Sequence, residues 1–484
     1  MRIGKVFLVG AGPGDIGLIT VKGLEAIKRA EVILFDRLAN PKLLEFAPAN
    51  CEMIYCGKLP DRHFLRQNHI NELLAEKALE GKIVVRLKGG DPGVFGRVGE
   101  EAEVLAQYQV PFEIIPGITS GVAAPLYAGI PVTHREHAES FAVVTAHDKS
   151  DDGRPVLDWE GLARGVDTIA FYMGVGNLPF ICENLLKHGK PASTPVIMIQ
   201  WGTFGRQKTL QGTLADIAVK AAEEKFSNPA IILVGSVVSL REKISWFEKK
   251  PLYGRQILLA RIGVESSALA KILVDQGADV IEFPKWKRKP VEVDLTNITA
   301  YDNILFASPE SVTEFFAAVF AEKIDVRKIT AHFFGASMKT IKTLNGRGFH
   351  ASLSEEIPQE GSLLLVGDES IKEKGYDSAD YLVTSKKELD HAFLPILKRM
   401  LEEAAVNTVV FPCSASVQPV IQVLEECGVI DVREYLNKVQ VIAMGKQTLE
   451  ATVAEGISIA EIPEKATKEA LVDFLTRNQN WVNR

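Results

Sequence analysis

The sequence predicts an α/β protein, and three stretches carry that prediction. Residues 5–36 read as strand, glycine-rich loop, helix and strand. Residues 83–101 read as a second strand that stops at the bare loop Gly89-Gly90-Asp91-Pro92 before a charged segment suited to a helix. Residues 304–346 are echoed by 409–456, each copy running strand, polar loop, helix, strand, loop, helix. At 484 residues the chain exceeds the roughly 250 to 300 at which single cores stop growing, so more than one domain is expected.

Composition narrows the class. With 46% apolar and 24% charged residues, disorder is not indicated. A net charge of −7 argues against a general nucleic-acid or membrane-surface binder, which needs surplus cations. The five cysteines are scattered without a C-x-x-C pair, which speaks against a disulfide framework or zinc site and for a reducing compartment. Met1-Arg2-Ile3-Gly4 runs straight into a strand, unlike a signal peptide, and no apolar run approaches the roughly 20 residues of a membrane span. A soluble, cytoplasmic protein is expected.

In chain order, Lys5 to Val9 is a buried strand, Thr20 caps a helix with Val21, Leu24 and Ile27 on one face, and Glu31 to Asp36 is a second strand. Glycines after the first strand and an acid, Asp36, about 20 residues on invite a dinucleotide reading. Pro13 and Asp15 oppose it, because Asp15 stands where the third glycine belongs and its charge would face a pyrophosphate. The loop after Lys88 has the same bias. It offers carbonyls and a carboxylate, which suit a cation or ribose hydroxyls rather than phosphate. Strands follow at 110–115, 141–145, 168–173, 195–199 and 228–235.

These loops also carry a resemblance. G-A-G-P-G-D (Gly10 to Asp15), G-G-D-P (Gly89 to Pro92), P-G-I-T-S (Pro116 to Ser120), G-I-P-V-T-H-R (Gly129 to Arg135) and Y-M-G (Tyr172 to Gly174) together resemble the uroporphyrinogen-III C-methyltransferases of the tetrapyrrole methylase superfamily, from about Lys5 to Phe247. The resemblance implies two α/β lobes, about 1–115 and 116–248, hinged near Pro116. It implies S-adenosyl-L-methionine as methyl donor, leaving S-adenosyl-L-homocysteine, with Pro13, Gly89, Gly90, Asp91, Val94, Thr119, Ser120, Met173, Gly202 and Ala230 at the donor. Asp36 matches the proton acceptor and Lys58 the proton donor. Such roles suit the chemistry, since methylating an electron-rich pyrrole carbon leaves a cation that must lose a proton. No metal is implied. Gly93, Val94 and Val98 depart from the family's usual P-F-I-F-G-R-G-G-E-E, and none of these changes removes a functional group.

A polycarboxylate substrate needs cations despite an acidic whole. Arg37, Arg62, Arg66, Arg97, His134 and Arg135 are the candidates, joined by His63, Arg86 and Lys88. A run such as Arg62 to Arg66 is otherwise a solvated helix face.

Lys249 to Gly254 reads as a linker, after which strands at 256–260 and 280–284 flank a helix. With the repeat, this half resembles uroporphyrinogen-III synthase over about Leu252 to Leu475. That implies a pair of flavodoxin-like α/β domains joined by a double crossover: 252–286 plus 386–484, and 287–385. Ser308, Ser414 and Thr448, on loops after strands, are candidates to meet carboxylates, together with Ser311 and Ser416. Relatives carry a tyrosine in the second crossover, and Tyr381 is an ambiguous counterpart. Met338 stands where small or hydroxylated residues are usual.

The expected protein is a fusion. Its second half cyclises hydroxymethylbilane to uroporphyrinogen III, and its first half methylates that product at two ring carbons to precorrin-2, for siroheme or cobalamin. A homodimer through the methylase half is implied. The alternatives are a degenerate synthase half, a tetrapyrrole-binding module without turnover, and a dehydrogenase, which NAD binding would reveal.

Overall fold

The structure is a computed structural model that describes residues 3–57, 67–147, 153–374, 379–457 and 460–478. Among these residues the strands form four sheets, and the class is α/β as expected.

The first sheet is wholly parallel, in the order Glu52–Tyr55, Val32–Phe35, Ile83–Lys88, Lys5–Gly10, Phe112–Ile115. Its central strands are buried and largely apolar because both faces are covered, Arg86 and Lys88 being the charged exceptions in the middle strand. Gly10 lies opposite Lys88 in the register, so the two glycine-rich loops leave the sheet side by side. A crevice beyond the carboxyl ends of such strands is where open α/β sheets bind ligands. Thr20 caps the first helix as expected, accepting from the Gly23 amide at 3.1 Å.

The second sheet runs Phe141–Thr145, Thr168–Tyr172, Ala230–Val234, Pro195–Gln200, Lys208–Thr213, and only its first pair is parallel. The sequence reading placed no strand at Lys208–Thr213. That segment, K-T-L-Q-G-T, has little apolar periodicity and is extended because it completes a ladder with Pro195–Gln200 at the sheet edge.

Strands Gln256–Ala260, Asp279–Phe283, Thr408–Phe411, Gln440–Ala443 and Ala460–Glu461 form a third, all-parallel sheet, and the fourth draws its strands from 286–389. The chain leaves one sheet for the other at Trp286–Pro290 and returns antiparallel beside it, Trp286 opposite Leu389 and Pro290 opposite Ser385. The repeat is real in three dimensions. Asn303–Phe306 pairs in parallel with His332–Gly335, as Thr408–Phe411 does with Gln440–Ala443.

The 249–254 connection is not a loose linker. Leu252 is fully buried, its amide donates to the Gln276 carbonyl at 2.9 Å, and the Gly254 amide donates to the Gly205 carbonyl at 3.1 Å. One apolar cluster accordingly joins Phe35, Ala39 and Leu43 of the first half to Ile396, Leu397 and Met400 of the second. Among the described residues, no helix is long and apolar enough to cross a membrane.

Candidate methyl-transfer site

Two loops meet at the end of the first sheet. Gly12 and Gly90 form an antiparallel bridge, with the Gly12 amide donating to Gly90 O at 3.1 Å and the Gly90 amide to Gly12 O at 2.8 Å. Gly90 has a φ of +69°, which a side chain would strain. The hinge loop closes over this crossing so tightly that a Cβ on Gly117 would lie 2.3 Å from the Gly90 carbonyl oxygen. Asp91 locks the arrangement. Its Oδ1 accepts from the Gly93 amide at 2.7 Å and its Oδ2 from the Gly117 amide at 2.9 Å, so the carboxylate braces the loop before it meets any ligand.

Asp36 sits beside this crossing. Its Oδ1 accepts amides from Leu38 (3.1 Å), Ala39 (3.2 Å) and Gly89 (3.3 Å), while its Oδ2 lies 3.7 Å from Arg86 Nη2. One oxygen organises the turn and the other faces a cation. Beneath it, fully buried Glu101 accepts from Arg86 Nε at 3.1 Å and Lys88 Nζ at 2.7 Å. Burial pushes the Lys88 ammonium below its ordinary value and Arg86 adds to this, with Glu101 offsetting part. These two cations are therefore structural. They do not join a substrate-facing set, because each is only 4% exposed and committed to Glu101.

The far wall comes from the second lobe. Thr119 stands at the N-terminus of the helix Ser120–Tyr127 without capping it, and its hydroxyl is hydrogen-bonded to Tyr172 Oη at 2.6 Å. Met173 is 49% exposed with a φ of +55°, and Phe95, 42% exposed with a φ of +54°, lies 5.2 Å from the Tyr172 ring. Trp201 and Thr203 also have positive φ values. Positive φ is uncommon outside glycine. Gly202 packs on Ala124, where a Cβ would fall 2.3 Å from the alanine methyl, and Ala230 is buried at the start of its strand. Thr203 Oγ1 accepts the Asp15 amide at 2.9 Å, and Asp15 Oδ2 accepts from Tyr127 Oη at 2.7 Å, so the lobes are tied across the cleft. Sequence reasoning missed Thr203, Tyr127 and Tyr172 as lobe ties. Asp15 was the available signal, since a carboxylate after a glycine loop needs a donor.

The remaining candidates divide. Pro13, Val94 and Ser120 lie partly exposed on the loops just described. Lys58, Arg62, His63 and Arg66 lie outside the described residues. Arg37 is exposed, and its Nε donates to Glu403 of the second half at 3.2 Å. Arg97 is exposed and paired with Glu100. His134 and Arg135 lie on one loop, where His134 Nδ1 accepts the Glu136 amide at 3.2 Å. His134, Glu136 and His137 place one ligand atom each within 4.8 Å of one another.

In the second half the hydroxyl candidates are mostly spent on the fold. Ser308 and Ser311 form a capping box, each side chain bonded to the other's backbone amide at 3.1 Å. Ser311, Ser416 and Thr448 are buried, which leaves Ser414 exposed at its loop. Tyr381 lies opposite Leu365 in the middle of a ladder and lines a cavity of about 800 Å³ with Tyr301 and Lys386.

The family profile of Tetrapyrrole (Corrin/Porphyrin) Methylases matches residues 5–218. A uroporphyrinogen-III C-methyltransferase of Bacillus subtilis is 49% identical over 435 residues, 89% of this chain and 89% of that protein. The chain belongs to the tetrapyrrole methylase family. The chain is also 39% identical, over 364 residues, to the porphyrin biosynthesis protein HemD of Ruminiclostridium josui, covering 74% of this chain and 72% of that one. A Thermus thermophilus uroporphyrin-III C-methyltransferase, solved with S-adenyl homocysteine, is 37% identical, covers 49% of this chain and 100% of its own, and superposes with a TM-score of 0.42. Similarity over most of its length sets the chain among the methyltransferases of tetrapyrrole biosynthesis.

Proposed function

We propose that residues 1–248 transfer methyl groups from S-adenosyl-L-methionine to two ring carbons of uroporphyrinogen III, giving precorrin-2. Residues 252–484 form the synthase that makes uroporphyrinogen III from hydroxymethylbilane. The observation that carries the first part is the crossing of Gly12 and Gly90, both at positive φ, under Gly117, where a Cβ has no room, flanked by carboxylates instead of phosphate-binding cations. A sulfonium nucleoside fits that chemistry, with Gly89, Gly90 and Asp91 on one side and Thr119, Met173, Gly202 and Ala230 on the other. When bound, it supplies an electrophilic methyl group.

The chain's own residues do the rest. Asp36, held in place by three amides with its second oxygen toward Arg86, receives the proton released from the alkylated ring carbon. Lys58 serves as donor. Arg97, His134 and Arg135 meet the substrate carboxylates with Arg62 and Arg66, and the cleft walls exclude water from the reacting carbon. Siroheme or cobalamin synthesis in the cytoplasm is the setting, and the methylase half is the dimerising unit.

For the second half one observation favours another reading. Most of its candidate hydroxyls are buried or act as caps, and Met338 is 67% exposed at the loop where its repeat carries Thr448. This is what a synthase fold kept for assembly would show. One assay decides both. Hydroxymethylbilane and labelled methyl donor supplied together yield a dimethylated product if the full reading holds. Uroporphyrinogen III as substrate restores methylation if only the first half works, and no transfer from either overturns the methylase reading.

A further inference from the structure

The helix Leu394–Glu403 belongs to the second half, yet it touches both walls of the cleft. On the first wall, Glu403 Oε1 accepts from Arg37 Nε at 3.2 Å, next to Asp36. Arg399, 9% exposed, donates from Nη2 to the Arg37 carbonyl at 3.4 Å, and its guanidinium lies 4.7 Å from the Tyr55 ring centroid and 5.7 Å from that of Phe35. On the second wall, the backbone carbonyl of Glu403 accepts from Arg206 Nη1 at 3.2 Å. Arg206 stacks on Trp201 at 4.2 Å, within the strained loop that also carries Gly202 and Thr203. A second tie reaches Arg206 from the same half, through Asp279 at 3.7 Å.

We propose that this helix clamps the methyl-transfer cleft, with Glu403 and Arg399 as positioning residues that fix the Asp36 turn relative to the Trp201–Thr203 loop. The proposal rests on the methyl-transfer reading of the site. The physical reasoning is geometric. Asp36 reaches the chain beyond it through Arg37, and an ion pair with a carboxylate anchored at a helix end removes the freedom of that turn to swing out of the cleft. The same residue's main chain holds the other wall, so this helix adds to the Asp15–Thr203 tie in fixing the separation between the acid and the donor cradle. Transfer rates depend steeply on such separations, a misplacement of about 1 Å costing up to roughly a hundredfold. The second half therefore serves methyl transfer even when its own ligand is absent.

The test uses the full chain. Initial rates of methyl transfer to uroporphyrinogen III and calorimetric binding of S-adenosyl-L-homocysteine are measured for wild type, Glu403→Ala and Glu403→Gln. The expected result for Glu403→Ala is a fall in kcat of about five- to tenfold, with the porphyrinogen KM within about twofold of wild type. Glu403→Gln keeps an acceptor for Arg37 and returns the rate to within about twofold of wild type. Rescue by glutamine is the signature of positioning, because a merely structural loss would lower Tm and be shared by both variants. An unchanged kcat in Glu403→Ala overturns the clamp, as does a loss shared equally by Glu403→Gln. A wild-type chain that neither transfers methyl groups nor binds the homocysteine nucleoside overturns the methyl-transfer reading itself, and the clamp with it.

Discussion

At the scale of single residues, the site is governed by what each carboxylate is already bonded to. Asp36 spends one oxygen and Asp91 both on backbone amides, which makes them architectural groups. Asp36→Asn keeps the oxygen that holds the turn and loses the proton-accepting charge. We expect methyl transfer to drop by about a hundredfold or more, with S-adenosyl-L-homocysteine affinity changed little, measured by single-turnover transfer and calorimetry. Glu101 presents a different case. It is wholly buried and neutralises two cations that are themselves buried. Glu101→Ala leaves both uncompensated and is expected to cost about 3 to 5 kcal/mol of unfolding free energy in urea titration, with Glu101→Gln recovering only part. The sequence makes Arg86 and Lys88 look like substrate cations. Only their burial against Glu101 shows otherwise, because a charge pattern along a strand does not say which face is covered.

At the scale of elements, helix starts explain why the second half looks richer in ligand hydroxyls than it is. Serine after a strand and before a helix suits either a carboxylate ligand or an N-cap, and the two uses compete for the same lone pairs. Ser308 has made its choice in the capping box with Ser311. Ser308→Ala is expected to lower stability by about 1 kcal/mol in chemical denaturation. It is expected to leave the hydroxymethylbilane KM unchanged in any variant that turns over. The internal repeat and the parallel strands were legible from hydrophobic runs alone, since each copy reuses one strand-loop-helix grammar. The edge strand Lys208–Thr213 was not, because its conformation comes from the ladder it completes rather than from its own side chains.

At the scale of the whole molecule, the halves are bound by charge as well as by apolar contact. Glu45 of the first half accepts from Lys285 Nζ at 2.7 Å and from Arg261 Nη1 at 2.9 Å, both in the second. Burial pushes the Glu45 carboxyl up, but Lys285 and Arg261 together outweigh it and leave the group below its ordinary 4.5. A carboxyl with a depressed folded value binds fewer protons folded than unfolded between the two values. Its contribution is therefore fully present above about pH 4.5 and is lost as pH falls through the lower folded value. Thermal melts from pH 7 down to pH 3 should show an acid-side loss of Tm in the wild type that is smaller in Glu45→Gln. Equal slopes for the two proteins would remove Glu45 from the account.

The sequence by itself determined the α/β class, most of the strands along the chain, the repeat and the glycine loops that carry the family's motifs. These are written in local patterns: apolar runs, caps, and glycines where no side chain is tolerated. The tertiary structure decided which cations are buried, which hydroxyls are spent on helix ends, and that a segment read as a linker is packed between the halves. It also decided that Arg37 pairs with Glu403, a fact set by residues 366 positions apart and so written in no local pattern. Burial and partner choice depend on which distant surfaces meet, and meeting is a property of the folded chain.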